Sequence, residues 1–363
     1  MRKTEVLVVG GGPAGLSAAI AAASMGAKVT LVDDGLKLGG QLVKQTHKFF
    51  GSHKQSAGVR GIKIAELLLS EIDRLKGKIE VMSNTTATGY YQDDGVVTAM
   101  TGEEMYMKIK AERIIIATGA SERMLTFPNN DLPGVYGAGA VQTLMNVYGI
   151  IPGDRVLMIG AGNIGLIVSY QLMQANVEVA AVVEAMPYIG GYLVHASKIR
   201  RLGVPIYTSH TILEAYGKDA VEAAAIVKLD NKWQPIPSTK RVINVDTVCL
   251  SVGLSPLIEL LWQAGCKMKY VPQLGGNVVL RDKYMRTSKQ DIFVAGDVAG
   301  IEEATSAMLE GKLAGLIAAS DLGYAYDGWE ADKEDAISSL EELRRGPLSE
   351  KIRSGLKEVV VEW

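Results

Sequence analysis

Cysteine is nearly absent: two stand in 363 residues, Cys249 and Cys266. They lie too far apart for a Cys-x-x-Cys redox pair and are too few for an iron–sulfur cluster or a zinc site, so no metal centre is expected. Cys249 sits in the apolar run 246–253 and reads as a small buried hydrophobe. Cys266 follows Gly265 near a helix end, where Lys267 is the sole electropositive neighbour, too little to make a reactive thiolate. An excess of one charge is also lacking. Lys and Arg number 38 against 40 Asp and Glu, a net charge of −2, so nothing points to a basic groove for nucleic acid or a polybasic membrane patch. No apolar run is long enough to cross a bilayer, because the most apolar stretches are Ala- and Gly-rich and carry Ser, Lys or Glu. Met1 to Gly10 runs straight into a strand-like segment without the longer apolar stretch and cleavage site of a secretory signal, so a cytoplasmic location is expected.

What is present is length and rhythm. A chain of 363 residues, 48% apolar and 21% charged, suits two compact domains. Strand-like runs of Val, Ile and Leu alternate with Ala-rich helical stretches, which predicts parallel sheets covered by helices, an α/β class. One β-α-β unit runs from Glu5 to Val32 and a second from Arg155 to Val183, about 150 residues on, a domain-sized repeat. Between them lie an amphipathic helix over 65–75, a β-hairpin region over 90–107 turning at Asp93-Asp94-Gly95, and an apolar strand over 112–119. The Pro-, Asn- and Gly-rich stretch 127–139 reads as a crossing linker. The strand 291–297 and the helix 304–319 would then return to the first domain.

Both β-α-β units turn on glycine. Gly10, Gly12 and Gly15, with Pro13 and Ala14 between them, fit Gly-x-Gly-x-x-Gly between strand and helix, and Asp33 closes the next strand. The first glycine permits the tight turn, the second lets backbone approach a pyrophosphate, and the third allows helix and strand to pack closely. The helix N-terminus supplies free N–H groups and a favourable dipole for phosphate, and the acid accepts from an adenosine ribose. Gly160, Gly162, Asn163, Ile164 and Gly165 repeat the device, with Glu184 closing the next strand. No arginine follows Glu184 to receive a 2′-phosphate, which favours NAD(H) over NADP(H). A second site left empty or holding another nucleotide is the other reading.

Four signals occur in order: the first glycine turn, Ile116-Ala117-Thr118-Gly119, the second glycine turn, and Ala295-Gly296-Asp297. In this the chain resembles, over roughly 4–325, the flavoproteins with two dinucleotide-binding domains, the group of thioredoxin reductase and related pyridine nucleotide–disulfide oxidoreductases. The resemblance implies FAD in the first domain, with Ala117, Thr118 and Gly119 near it, Gly296 and Asp297 on its ribityl–phosphate region, and Gly39-Gly40-Gln41-Leu42 beside its ring. The paired cysteines of that group are missing, which rules out disulfide reduction. The stretches 127–134 and 139–146 resemble more closely the α- or B-type subunits of sarcosine oxidase, opine oxidase, hydrogen cyanide synthase and dye-linked proline dehydrogenase. That resemblance implies a partner subunit related to D-amino-acid oxidase and a small iron–sulfur subunit, separate or absent.

The expected architecture is therefore two Rossmann-like domains, the second inserted into the first: 1–122 with 285–327 for FAD, 123–284 for NAD, and a short helical C-terminal extension over 328–363. Ile337, Leu340 and Leu343 recur there at helical spacing, either to pack on the chain's own body or to dock a partner subunit. Hydride transfer between a nicotinamide and the flavin N5 needs no side-chain acid or base, so no catalytic side chain is expected. His47 and His53, Phe49 and Phe50 follow the flavin-facing segment as candidate contacts or as solvated loop residues, and His195 and His210 carry no motif. Three classes of function remain open: an electron-relay subunit of an amine or amino-acid dehydrogenase complex, a free-standing NAD(P)H-dependent reductase of a ferredoxin, quinone or dye, and a nucleotide-holding structural subunit.

Overall fold

The computed structural model describes residues 1–49, 54, 56–102 and 105–363. They form two compact units, Met1–Ser121 with Ser255–Trp363, and Glu122–Leu254.

The first unit opens with β1 (Arg2–Val9), α1 (Pro13–Met25), β2 (Val29–Val32), α2 (Gly61–Arg74) and β3 (Ile79–Met82). Then follow β4 (Thr85–Tyr91), β5 (Val96–Thr101) and β6 (Met105–Ile116), and β7 (Ala120–Glu122) carries the chain out. Val6 to Val9 and Val29 to Val32 are buried along their whole length, as a parallel strand covered on both faces requires. The expected hairpin is part of a meander whose third strand is longer than the sequence suggests. β6 runs unbroken from Met105 to Ile116: its first half pairs antiparallel with β5, and its stretch from Ile109 onward pairs parallel with β1. Alternating burial gives way within this strand to the fully buried Ile114–Ile116, so the period-two pattern ends where the strand enters the core.

The second unit comprises β8 (Val135–Gly137), α3 (Ala138–Tyr148), β9 (Arg155–Ile159), α4 (Asn163–Gln174), β10 (Glu178–Glu184), α5 (Leu193–Arg201) and β11 (Ile206–Thr208), then β12 (His210–Tyr216), β13 (Ala223–Lys228), β14 (Arg241–Asn244) and β15 (Thr247–Leu250). Its five-stranded parallel sheet has the order β11-β10-β9-β15-β8, and β12-β13-β14 form a separate antiparallel sheet. The stretch 127–139 is thus more than a linker, since β8 lies inside it, and three residues are too few to show a strand period.

The chain returns through β16 (Leu254–Pro256), α6 (Glu259–Gln263), β17 (Met268–Val271), β18 (Gly276–Val279), β19 (Ile292–Val294), α7 (Ala304–Ser320), α8 (Trp329–Leu343) and α9 (Glu350–Val359). The return comes at 255, earlier than the expected 285, because Ile258, Leu260 and Leu261 bury themselves in the same core as Leu7, Ile109 and Phe293. β19 pairs with β6 and completes the parallel order β3-β2-β1-β6-β19. The C-terminal helices pack on their own unit: Ala336 and Leu340 join the main core, while Leu356 and Val359 pack with Val271, Leu274 and Val278. Burying Leu340 alone is worth about 2 kcal/mol.

Candidate functional site

The register of the first sheet brings Val9, Val32, Ile116 and Val294 to one level. The residues that follow, Gly10, Asp33, Ala117 and Ala295, therefore emerge together at the carboxyl end of the sheet, where open parallel sheets bind ligands. Gly10 has φ of +109°, and a Cβ there would lie 2.2 Å from the Ala117 carbonyl oxygen. A Cβ on Gly15 would lie 1.7 Å from the Gly10 oxygen. Packing alone demands both glycines. Gly12 is different, since its Cβ would meet only the Cα of Gly40, at 3.9 Å. Its bare backbone keeps open the N-terminus of α1, which has no side-chain cap and places Pro13 at its start. An open helix N-terminus on a glycine turn suits a phosphate.

Asp33 is tied to this turn. Its Oδ2 accepts the Gly11 N–H at 2.6 Å and its Oδ1 the Gly35 N–H at 2.9 Å. Burial outweighs those bonds and pushes the carboxyl above its ordinary value. A glycine strap crosses the turn: the Gly39 N–H donates to the Gly11 oxygen at 2.8 Å, and a Cβ on Gly40 would lie 2.7 Å from the Gly12 Cα. The strap continues as the 3₁₀ turn Gly40–Lys44, with Gln41 exposed and Leu42 buried. Thr118 donates through its hydroxyl to the Leu257 oxygen at 2.7 Å, and the Gly119 oxygen accepts the Leu257 N–H at 3.0 Å. A Cβ on Gly296 would lie 2.8 Å from that of Ala14, which sets Asp297 beside the start of α1. Burial pushes the Asp297 carboxyl up to about 7, against one backbone N–H from Glu302 and with the charges of Glu310 and Glu302 raising it further.

The second unit repeats this skeleton. Ile159 pairs with both Val183 and Leu250, so Gly160, Glu184 and Ser251 emerge together. Gly160 has φ of +108° and would place a Cβ 2.1 Å from the Ser251 oxygen, and a Cβ on Gly165 would lie 2.2 Å from the Gly160 oxygen. At Gly162 a Cβ would meet nothing within 4 Å, and α4 starts there without a side-chain cap. Glu184 accepts the Ala161 N–H at 2.8 Å and the Met186 N–H at 2.9 Å, as Asp33 does with its own turn. Ile164 is exposed.

A second strap went unnoticed in the sequence. The Gly191 N–H donates to the Ala161 oxygen at 2.8 Å, and a Cβ on Gly191 would lie 2.9 Å from the Asn163 nitrogen. Asn163 Oδ1 accepts the Tyr192 N–H at 2.8 Å, which locks the strap to the start of α4. The signal was present: Gly190-Gly191-Tyr192-Leu193 stands to Glu184 as Gly39-Gly40-Gln41-Leu42 stands to Asp33. Glu122 was also missed. Its carboxylate accepts the N–H groups of Gly139 at 2.6 Å and Ala140 at 3.2 Å, capping α3 with the chain's own charge.

Of the histidines, His195 touches the second strap, stacking on Tyr192 with ring centroids 6.3 Å apart. His47 stacks on Phe49 at 5.7 Å, His195 is buried on α5 with its ring held below the usual histidine range by burial and by Lys198, and His210 bonds the Thr208 oxygen through Nδ1 at 2.7 Å. Phe50 and His53 lie outside the described residues. Cys249 and Cys266 are both buried, and burial pushes both thiols up, so neither is a thiolate near neutral pH. No helix among the described residues is long and apolar enough to cross a membrane.

These features fit a dinucleotide in each unit, and comparison with known proteins agrees. The family described as pyridine nucleotide-disulphide oxidoreductase matches residues 4–311. An opine oxidase subunit of Agrobacterium tumefaciens (strain Ach5) is 28% identical over 331 residues, covering 88% of this chain and 66% of that protein. A hydrogen cyanide synthase subunit of Pseudomonas protegens is 27% identical over 327 residues, covering 85% and 69%. The chain thus spans about two thirds of the length of these relatives. Among solved structures, the thioredoxin reductase of T. acidophilum superposes with a TM-score of 0.71 at 22% identity, covering 89% of this chain and 99% of that one. The L-proline dehydrogenase of P. horikoshii gives 0.68 at 23%, covering 92% and 59%. Both likenesses show the fold.

Proposed function

The chain belongs to the pyridine nucleotide-disulphide oxidoreductase family, and from that premise we propose that this FAD-dependent oxidoreductase is the electron-relay subunit of an amine- or amino-acid-oxidising complex in the cytoplasm. FAD occupies the first unit and NAD(H) the second. The α1 N-terminus at Gly12 takes the FAD pyrophosphate, Asp33 its adenosine ribose, Asp297 its ribityl–phosphate region, and the strap at Gly40 and Gln41 borders its ring, beside Ala117, Thr118 and Gly119. In the second unit the α4 N-terminus at Gly162, Asn163 and Ile164 takes the pyrophosphate and Glu184 the adenosine ribose. When bound, the flavin supplies hydride and single-electron chemistry. The chain's residues supply position, charge and exclusion of water.

One observation carries the relay reading: two complete dinucleotide cradles stand in a chain whose two thiols are buried and un-ionised, Cys266 in the first unit and Cys249 in the second. Electrons gathered here have no thiol pair in this chain to receive them, which supports their passing on to another protein. The names of the relatives, subunits of an oxidase and of a synthase, support that direction. The partner is a D-amino-acid-oxidase-like chain, and a small iron–sulfur protein is the further acceptor.

The test is purification of the tagged chain from its own cells, followed by anaerobic titration with NADH and with candidate amines. The reading expects a co-purifying amine-oxidising chain, amine-dependent dye reduction by the complex, and none by the chain alone. Steady turnover of NADH with a dye by the isolated chain, with no partner recovered, would replace it with a free-standing reductase. A flavin that stays oxidised in both experiments would leave a structural role alone.

A further inference from the structure

Four charges, two buried and two half-buried, meet near the turn that carries Asp297. Arg281 follows β18, Glu302 precedes α7, Glu310 lies within α7, and Arg344 caps the C-terminal end of α8. Arg281 Nη2 donates to Glu310 Oε1 at 2.8 Å. Arg344 donates to the same oxygen at 2.6 Å and to both oxygens of Glu302, at 2.6 and 3.0 Å. The side chains of Arg281 and Glu310 are 2% and 3% exposed, those of Glu302 and Arg344 9% and 17%, so water does little to screen them.

Each acid that Arg344 clamps also grips the turn carrying Asp297. Glu310 Oε2 accepts the Gly296 N–H at 3.0 Å, and the Glu302 N–H donates to Asp297 Oδ1 at 3.4 Å. A cluster that only fastened the C-terminal helices would have no need to reach these two residues. Loss of Arg344 would strip Glu302 of its hydrogen-bonded cation and leave it, like Glu310, with the charge of Arg281 alone, and poorly compensated charge in a site that water barely screens moves or takes up a proton.

We infer that Arg344 is a positioning residue for the turn Gly296–Asp297, holding Glu302 and Glu310 where they fix that turn, so that the C-terminal helices are a working part of the FAD site. The inference rests on the reading of Asp297 as a flavin ligand. The charged groups facing the turn are Glu302, Glu310, Arg281 and Arg344, and the test turns on the contacts among them.

The experiment measures the FAD dissociation constant of the full chain by flavin fluorescence, together with melting of the flavin-free protein, at about pH 6 and about pH 8. Arg344→Met is expected to weaken FAD binding by about ten-fold or more at the higher pH and less at the lower, where protonated carboxyls stand in for the missing cation. Arg344→Lys should recover much of the affinity. Should Arg344→Met fail to fold, Arg344→Met with Glu302→Gln removes both charges of that pair, and is expected to bind FAD more weakly than the unaltered chain, with no more contrast between the two pH values than the unaltered chain shows through Asp297. Unchanged affinity at both pH values in whichever variant folds, even with a lowered melting temperature, overturns the inference and leaves Arg344 a structural residue. Asp297→Asn separates the two readings. If it loses FAD while the Arg344 variants keep it, only the positioning inference fails; if it too keeps full affinity, the assignment of Asp297 fails.

Discussion

The two units lay their parallel strands in one lateral order, β3-β2-β1-β6-β19 in the first and β11-β10-β9-β15-β8 in the second, yet they fill the fifth place from opposite ends of their own strand sequences. In the first unit the fifth strand comes last, after the inserted unit; in the second it comes first. The antiparallel meander differs in the same spirit: β6 serves both meander and core sheet, whereas the second unit divides that work between β14 and β15. What survives these rearrangements is the turn at the head of the first strand, its acid and its strap. The fifth-strand corner does not survive. Gly296–Asp297 sits over buried ion pairs in one unit, and Glu122 seals the helix start in the other. On the proposed reading, the turn answers to what all dinucleotides share, and the corner to what distinguishes them.

The most forceful way to break the comparison is to place a methyl on the first glycine of each turn. Gly10→Ala should cost about 3 kcal/mol or more and yield colourless protein, because its Cβ strikes the backbone that follows β6. Gly160→Ala should leave the yellow flavin in place and abolish NADH binding measured by calorimetry. The opposite pattern would exchange the two cofactors between units.

Next in size is the titration of Asp297. Its carboxyl rises from 3.8 to about 7 in the folded chain, so the unfolded chain releases this proton first. The resulting stability is complete below about pH 4, falls as pH rises, and is gone above about 7, an effect on the order of a few kcal/mol. Asp297→Asn should flatten that fall in denaturant unfolding of the flavin-free protein. An unaltered slope would place its origin elsewhere.

Smaller and sharper is the second glycine of each turn. Gly12→Ala makes only an ordinary contact with the Gly40 Cα and Gly162→Ala meets open space, so melting should hold within roughly 0.5 kcal/mol while affinity for the matching nucleotide falls about ten-fold. Equal loss of stability and affinity would mean that packing, not ligand approach, selects those glycines. Smallest of all, Glu122→Gln should cost about 1 kcal/mol through the weakened cap of α3, with no change in FAD content.

Much of this was legible because close approach leaves glycine no substitute: Gly10, Gly15, Gly160 and Gly165 are visible in sequence for the reason that makes them necessary in space. Asp33 and Glu184 were legible from their place after a strand. The second strap was readable as a repeat but hidden by the exchange of Gln41 for Tyr192. The strand β8 was illegible, since three residues carry no period. The cluster of Arg281, Glu302, Glu310 and Arg344 was beyond reach for another reason: its members are brought together only by tertiary packing, and in sequence each looks like an ordinary surface charge.

The lateness of β19 sets an order of events in the cell. A growing chain delivers Glu122–Leu254 as one contiguous stretch, able to close its own sheet while the first unit still lacks its fifth strand. Until Ile292–Val294 arrive, one edge of Ile114–Ile116 has no permanent neighbour, and the corner bearing Asp297 does not exist. The first unit is begun before the second and finished after it. On the proposed reading, FAD can be captured only after Ile292–Val294 have been made, by which point the whole of Glu122–Leu254 has left the ribosome.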